Sequence, residues 1–584
     1  MVKRSAKRLL NKFSSCFTIL ETYFFAILIG GSVGLAVALM LYAFHSVEAS
    51  IEELWTQQPF MVMLTPVIGL LLSQLLVLKL AYTKRAGCGT HAVLEAYNFG
   101  EAYVHPADTV VKTTASVATI GLGGSAGLEG PSLLLGSGIA SLFNTILPIK
   151  DEDKPKFFLA GAAAGISAVF RAPLTGVLFA LEIPFRRDVE REAFIHATLA
   201  SVISYIVLAF FIGAERLFPP IPRPILPSYY QIMLAVLVGL IAALIGRLFV
   251  RTYSFLEKIS ESLRREYGPL KVAIVGGLMI GLLGLIDRRV LGVGYEAIHE
   301  MVLGRLEAGF SLEATDFREV LIVAFLLLIL KVIASSITLN FGGSGGLFIP
   351  SIFVGAALGY VLYFLDRSIP AEVYVMAGMA AVLAATNKTL FTSVAFTAET
   401  AGPATVITTM IAASVSYFFS GNESFYENQL LHKISEEEYT LKEAYVLLRE
   451  RYPEVLSRIR AKDLMTRPRI VLRAGMTVAE AIKVVENHIL RVFAVVDSEG
   501  RLIGQCFIEN LIMASRRSKD LPLILTDIRD ALRVHEDESL GEIIERMLEV
   551  NETRVYVVDQ EGRLIGVITT RDILRRIIPY LMKA

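Results

Sequence analysis

Hydrophobic and polar positions separate along this chain on two scales. The stretches Thr22–Phe44, Met61–Leu78, Phe194–Ile212, Ile232–Val250 and Val320–Ile337 each hold at most one Asp, Glu, Lys or Arg. They approach the ~20 residues that an α-helix needs to cross about 30 Å of hydrocarbon. Other apolar stretches, Val272–Ile286 among them, are shorter or interrupted by Gly and Pro. Past Tyr426 the pattern changes: His432–Asp463 is charged and helix-periodic, and has no run able to span a membrane. Short β-rich runs (Ile470–Leu472, Val492–Val496, Val555–Val558) then alternate with amphipathic helices (Val478–Asn487, Leu540–Val550), the pattern of an α/β module. The chain therefore reads as a polytopic helical membrane domain followed by a smaller α/β domain.

Both parts are internally duplicated. In the tail, RVFAVVDSEGRLIG (491–504) returns as RVYVVDQEGRLIG (554–566). In the membrane part, ATIGLGGSAGLEGPSLLLG (118–136) matches ITLNFGGSGGLFIPSIFVG (337–355) at an offset of 219, and 160–182 matches 377–399 at an offset of 217. Two halves, about 17–210 and 230–425, follow. Duplicated halves with Gly- and Pro-interrupted segments point to a binding site at broken helices, whose N-terminal N–H groups attract anions. Against that background Glu129 stands out. It is the only Asp, Glu, Lys or Arg between Thr113 and Ile149, and an ionisable group inside a bilayer is a functional-site hypothesis by default.

Composition agrees with a membrane solvent: 54% of residues are hydrophobic and 19% charged, with a mean hydropathy of +0.57. A formal net charge of zero gives no argument for nucleic acid. Lys3, Arg4, Lys7, Arg8 and Lys12 precede the first apolar run and place the N-terminus in the cytoplasm; Thr22–Phe44 is too long for the core of a cleaved signal peptide. Cys16, Cys88 and Cys506 sit in unrelated contexts and suggest neither disulfides nor a metal site.

GLEGP (127–131), GLFIP (346–350), FRAPLTGVLFALE (170–182) and SFYENQ (424–429), ahead of the paired tail repeats, resemble the CLC family of chloride channels and proton-coupled chloride antiporters. The tail itself resembles a pair of CBS domains. The resemblance implies an all-α membrane domain of two inverted repeats and an α/β CBS pair, in a homodimer with one anion pathway per subunit. The expected layout is a basic cytoplasmic N-terminus (1–16), the pathway domain (17–430), a charged linker (431–460) and CBS repeats at 461–516 and 522–584. By resemblance, chloride is held by backbone N–H groups at Gly127, Leu128, Glu129, Gly130, Leu347 and Phe348 and by the Tyr426 hydroxyl, and Glu129 is the gate. In the second CBS copy, Gly566-Val567-Ile568-Thr569-Thr570-Arg571-Asp572 matches the family's adenine-nucleotide motif, with Thr569 toward phosphate and Asp572 toward ribose; an N-cap for the last helix is the alternative. The first copy has Phe507 and Asn510 at those places.

Three departures bear on function. The family's GSGIP falls at Gly87-Cys88-Gly89-Thr90-His91, so a thiol, a weaker donor, replaces the hydroxyl at Cys88, and His91 replaces Pro. Leu128 stands where an Arg is usual. Ile183 occupies the position of the antiporters' inner proton-accepting glutamate, which favours passive conduction over chloride/proton antiport, or over a fluoride-selective relative. A CBS-regulated membrane enzyme or sensor, or a cation channel, is disfavoured: the pathway motifs lack a metal cluster, a nucleophile elbow and a line of intramembrane carboxylates.

Overall fold

The computed structural model describes the chain except residues 1, 101, 151–152, 220–226, 308–316, 365, 434–440, 469, 486–491, 519 and 582–584, and describes residues 2–22 by backbone alone. The basic side chains of the N-terminus, residues 434–440 of the expected linker, and Arg491 at the start of the first tail repeat therefore lie outside the described residues. The chain divides into two compact units, 1–433 and 434–584.

In the first unit the helices are α1 (Val2–Gln57), α2 (Met61–Leu80), α3 (Gly89–Asn98), α4 (Pro106–Gly121), α5 (Glu129–Ile146), α6 (Lys154–Phe170), α7 (Pro173–Glu182), α8 (Phe194–Ile212), α9 (Tyr229–Tyr267), α10 (Pro269–Ile286), α11 (Tyr295–Val302), α12 (Phe317–Asn340), α13 (Phe348–Tyr363), α14 (Ala371–Asn387), α15 (Leu390–Ala401) and α16 (Val406–Phe419). Among the described residues six are long and apolar enough to cross a membrane: five lie at the long apolar runs, and the sixth is α10, where Val272–Ile286 reads as too short until Pro269–Lys271 extend the helix. α9 continues to Tyr267, past the apolar stretch that ends at Val250, because its last turns carry Glu, Lys and Arg at helix-compatible spacing.

The two halves run α1–α8 and α9–α16, and they are inverted. The backbone N–H of Ser125 donates to Thr338 Oγ1 at 3.0 Å, and that of Ser344 donates to Thr119 Oγ1 at 3.0 Å. Ser344 lies 219 residues after Ser125, and Thr338 lies 219 after Thr119, so each bond is the other with the halves exchanged, as a local two-fold requires. The same exchange governs α7 and α15. The Glu182 carboxylate, at the end of α7, accepts from Phe391 N (2.9 Å), Thr392 N (2.7 Å) and Thr392 Oγ1 (2.5 Å) at the start of α15. Glu399, in α15, accepts from Leu174 N (2.9 Å), Thr175 N (2.6 Å) and Thr175 Oγ1 (2.7 Å) at the start of α7. Each helix thus caps the other's unpaired N-terminal donors with a carboxylate that suits the local dipole, and the pair must run antiparallel.

In the second unit, β1 (Val471–Arg473), β2 (Val492–Val496) and β3 (Leu502–Phe507) form one sheet, and β4 (Arg533–His535), β5 (Arg554–Val558) and β6 (Leu564–Thr569) the other. The edge strand is parallel and the hairpin antiparallel in both. The register slips at Val495/Val496 and again at Val557/Val558, the corresponding place in each copy. Helices Leu441–Arg451 and Pro453–Arg458, within the stretch read as a linker, bury Leu441, Ala444, Leu448, Val455 and Leu456 in this unit's core. Their apolar positions recur at helical spacing, so the charged composition describes the outer face alone.

Candidate functional site: a buried anion pathway

Three helix N-termini converge on one buried point. Gly127 pairs with Gly346 and Cys88 with Gly345 in two isolated bridges, through Gly127 N to Gly346 O (3.0 Å) and Gly89 N to Gly345 O (3.0 Å). These short pairings draw together the starts of α3, α5 and α13. Gly127 and Gly346 leave the space that the Glu129 carboxylate fills, since a Cβ at either would run into it.

Glu129 is the first residue of α5 and has no exposure to solvent. Its Oε1 accepts the backbone N–H of Phe348, the first residue of α13, at 2.6 Å. Oε2 is buried and has no partner. The carboxyl group therefore sits against the N-terminus of one helix while belonging to the N-terminus of another, each worth about +0.5 charge. The Phe348 ring packs on Phe170, Phe179 and Phe396 with centroids 4.8, 5.3 and 5.1 Å away, which walls the point with apolar surface.

Several of the other expected site residues are engaged by protein partners. Leu128 and Leu347 are the buried N-cap residues of α5 and α13, and Gly130 is buried in the first turn of α5. The Gly127 N–H, expected to face the anion, is engaged by Gly346. Cys88 is the buried N-cap of α3 and makes no capping bond. Tyr426 is fully buried, but its hydroxyl donates to Asn387 Oδ1 at 2.7 Å, so its proton is not free as expected. His91 Nε2 donates to the Phe425 carbonyl at 3.0 Å, and its ring meets that of Tyr426 edge-on at 5.1 Å. Ile183 is buried at the C-cap of α7. Its neighbour Glu182 has both oxygens engaged on α15 and acts as a helix cap.

Sequence reading missed Lys331. It is fully buried in α12 and donates to the carbonyls of Val290, Gly292 and Val293 at 3.2, 3.1 and 3.2 Å. Its ammonium lies 4.9 Å from the Phe353 ring centroid. The signal was available: Lys331 is the only charged residue in Val320–Ile337, the same criterion that singles out Glu129.

In the second unit, Asp572 Oδ2 accepts from Thr569 N (2.9 Å) and Thr569 Oγ1 (2.7 Å), while Asp572 N donates to Thr569 Oγ1 at 3.3 Å. This is a reciprocal cap on the last helix, Thr570–Leu581. In the first copy Phe507 caps nothing, and Asn510 Nδ2 donates to the carbonyl and carboxylate of Asp527, each at 3.0 Å.

Apolar helices of spanning length, an inverted duplication and helix N-termini facing a buried carboxylate define an integral membrane protein of the kind that handles anions. The voltage gated chloride channel family model matches residues 69–421 and the CBS domain model residues 461–516 and 525–579. The chain belongs to the voltage gated chloride channel (CLC) family, with two CBS domains. It is 26% identical over 343 residues to an uncharacterized protein of Methanocaldococcus jannaschii, covering 58% of this chain and 81% of that one. It is 28% identical over 380 residues to the voltage-gated ClC-type chloride channel ClcB of Escherichia coli, covering 61% and 84%. Among solved structures, a CLC-type fluoride/proton antiporter aligns with a TM-score of 0.62 and 23% identity over 71% of this chain and 98% of that one, a likeness of fold.

Proposed function

We propose that this protein conducts chloride passively across a membrane, one pathway per subunit of a homodimer, with Glu129 as the gate and both termini in the cytoplasm. The observation that carries the reading is the seat of the Glu129 carboxylate, an anion held at 2.6 Å by the N-terminal N–H of α13 with its second oxygen unpartnered. A halide suits the same seat. Protonation removes the carboxylate's charge, and a competing chloride displaces it; either frees the path. Partial helix charges bind an anion firmly enough to admit it and weakly enough to let it leave. The name of the Escherichia coli relative supports chloride as the ion. An adenine nucleotide at Thr569 and Asp572 modulates the flux.

Chloride efflux from proteoliposomes tests this. Wild type exceeds empty vesicles, and Glu129→Gln, whose amide mimics the protonated acid, alters gating. Efflux equal to that of empty vesicles for both would overturn the proposal. Chloride/proton antiport is the second reading, favoured by the retention of Glu129.

A further inference from the structure

Thr90 lies in the first turn of α3, two residues after Cys88, and is fully buried. Its Oγ1 has no hydrogen-bond partner although it lies against the Cys88 thiol and the Tyr426 hydroxyl. Such an orphan is uncommon in a folded protein and calls for a cause. The groups around it have little to offer an anion. The Tyr426 proton is committed to Asn387, which is itself held by Thr386 Oγ1 at 3.0 Å and Ser351 Oγ at 3.4 Å. A thiol is a weak donor. The Nε2 proton of His91 is on the Phe425 carbonyl, and the buried Nδ1 has no partner. The Thr90 hydroxyl makes no hydrogen bond in normal geometry; the Tyr426 oxygen and the Cys88 sulfur are the acceptors beside it, and it has a helix N-terminus behind it.

We propose that the Thr90 hydroxyl is the side-chain donor that binds the permeating anion at this end of the pathway, in place of the Cys88 thiol and the Tyr426 hydroxyl. Binding supplies the orphan with its acceptor. The assignment rests on the proposed anion pathway and sharpens it: this chain replaces one hydroxyl donor with another, two residues along the same turn.

Chloride binding to the full-length protein in detergent, measured by titration calorimetry, tests the assignment. Thr90→Val keeps the shape and removes the hydroxyl. It is expected to weaken chloride binding about tenfold, the scale of a lost hydrogen bond to a charged group, and to weaken it more than Tyr426→Phe does. Thr90→Ser restores most of the affinity, and Cys88→Ser, which supplies a new hydroxyl on the same turn, rescues Thr90→Val. Thermal melting of each variant separates lost binding from lost fold; if Thr90→Val does not fold, the order of Thr90→Ser, Cys88→Ser and Tyr426→Phe affinities decides. Thr90→Val binding within twofold of wild type, or Tyr426→Phe losing as much as Thr90→Val, would overturn the assignment while leaving the pathway standing. A wild type that neither binds nor passes chloride would overturn both.

Discussion

The Glu129 carboxylate accepts the backbone N–H of Phe348 at 2.6 Å, across 219 residues of chain. That separation is the offset of the duplication itself, so the carboxylate that begins α5 rests on the residue matching it in the other half. If this seat is also the anion's, Glu129→Gln should raise chloride efflux at neutral pH toward the wild-type rate in acid and flatten the pH profile. Efflux from proteoliposomes buffered between pH 4 and 8 measures both effects.

Lys331 and Glu129 are fully buried ionisable groups of opposite type in the membrane unit. A nearby cation favours the ionised carboxylate, so removing it lets Glu129 take up a proton at higher pH. The pH profile of efflux in Lys331→Met is expected to shift to higher pH, and Lys331→Arg to stay nearer wild type. A shift to lower pH would show that the Lys331 charge does not reach Glu129.

Proton coupling needs a protonatable group open to the cytoplasm. Ile183 supplies none, and both oxygens of Glu182 hold the start of α15. A steep chloride gradient, with voltage clamped at zero by valinomycin and potassium, should therefore drive no sustained proton movement. Proton accumulation abolished by Glu129→Gln would make the protein an antiporter, with His91, whose Nδ1 is unpartnered, the next replacement to test.

The reciprocal caps predict symmetric damage. Glu182→Ala and Glu399→Ala each strip three donors of their acceptor, and each is expected to destabilise the membrane unit by about 2–4 kcal/mol. Thermal melts in detergent should give similar losses for the two. A melt unchanged in either variant would mean that the caps do not hold α7 against α15.

In the CBS pair, Asp572→Ala should destabilise the last helix by about 1 kcal/mol through loss of the reciprocal cap with Thr569. If the same carboxylate holds a ribose, the variant also loses the heat of ATP, ADP or AMP binding that wild type gives in calorimetry. Destabilisation with no nucleotide heat in wild type would leave Thr569 and Asp572 as a cap alone.

The sequence by itself determined what depends on local solvent and on repetition. Runs free of charge locate the spanning helices, since hydrocarbon penalises every ionised side chain. The 219- and 217-residue offsets reveal the halves, and Glu129 is conspicuous because its neighbours are all uncharged. Tertiary structure decided the rest. Inversion is a relation between residues distant in the chain, such as Ser125 with Thr338 and Ser344 with Thr119, that no linear pattern encodes. The donors behave the same way. Tyr426 and Gly127 carry the right chemical groups, yet Asn387 and Gly346 engage them, while the hydroxyl of Thr90, unremarkable in sequence, is buried without a hydrogen-bond partner. A residue type specifies which hydrogen bonds are possible; only the packed chain settles which are made, because in a water-free interior an unpaired polar group is costly and its partner must be one that folding brings to it.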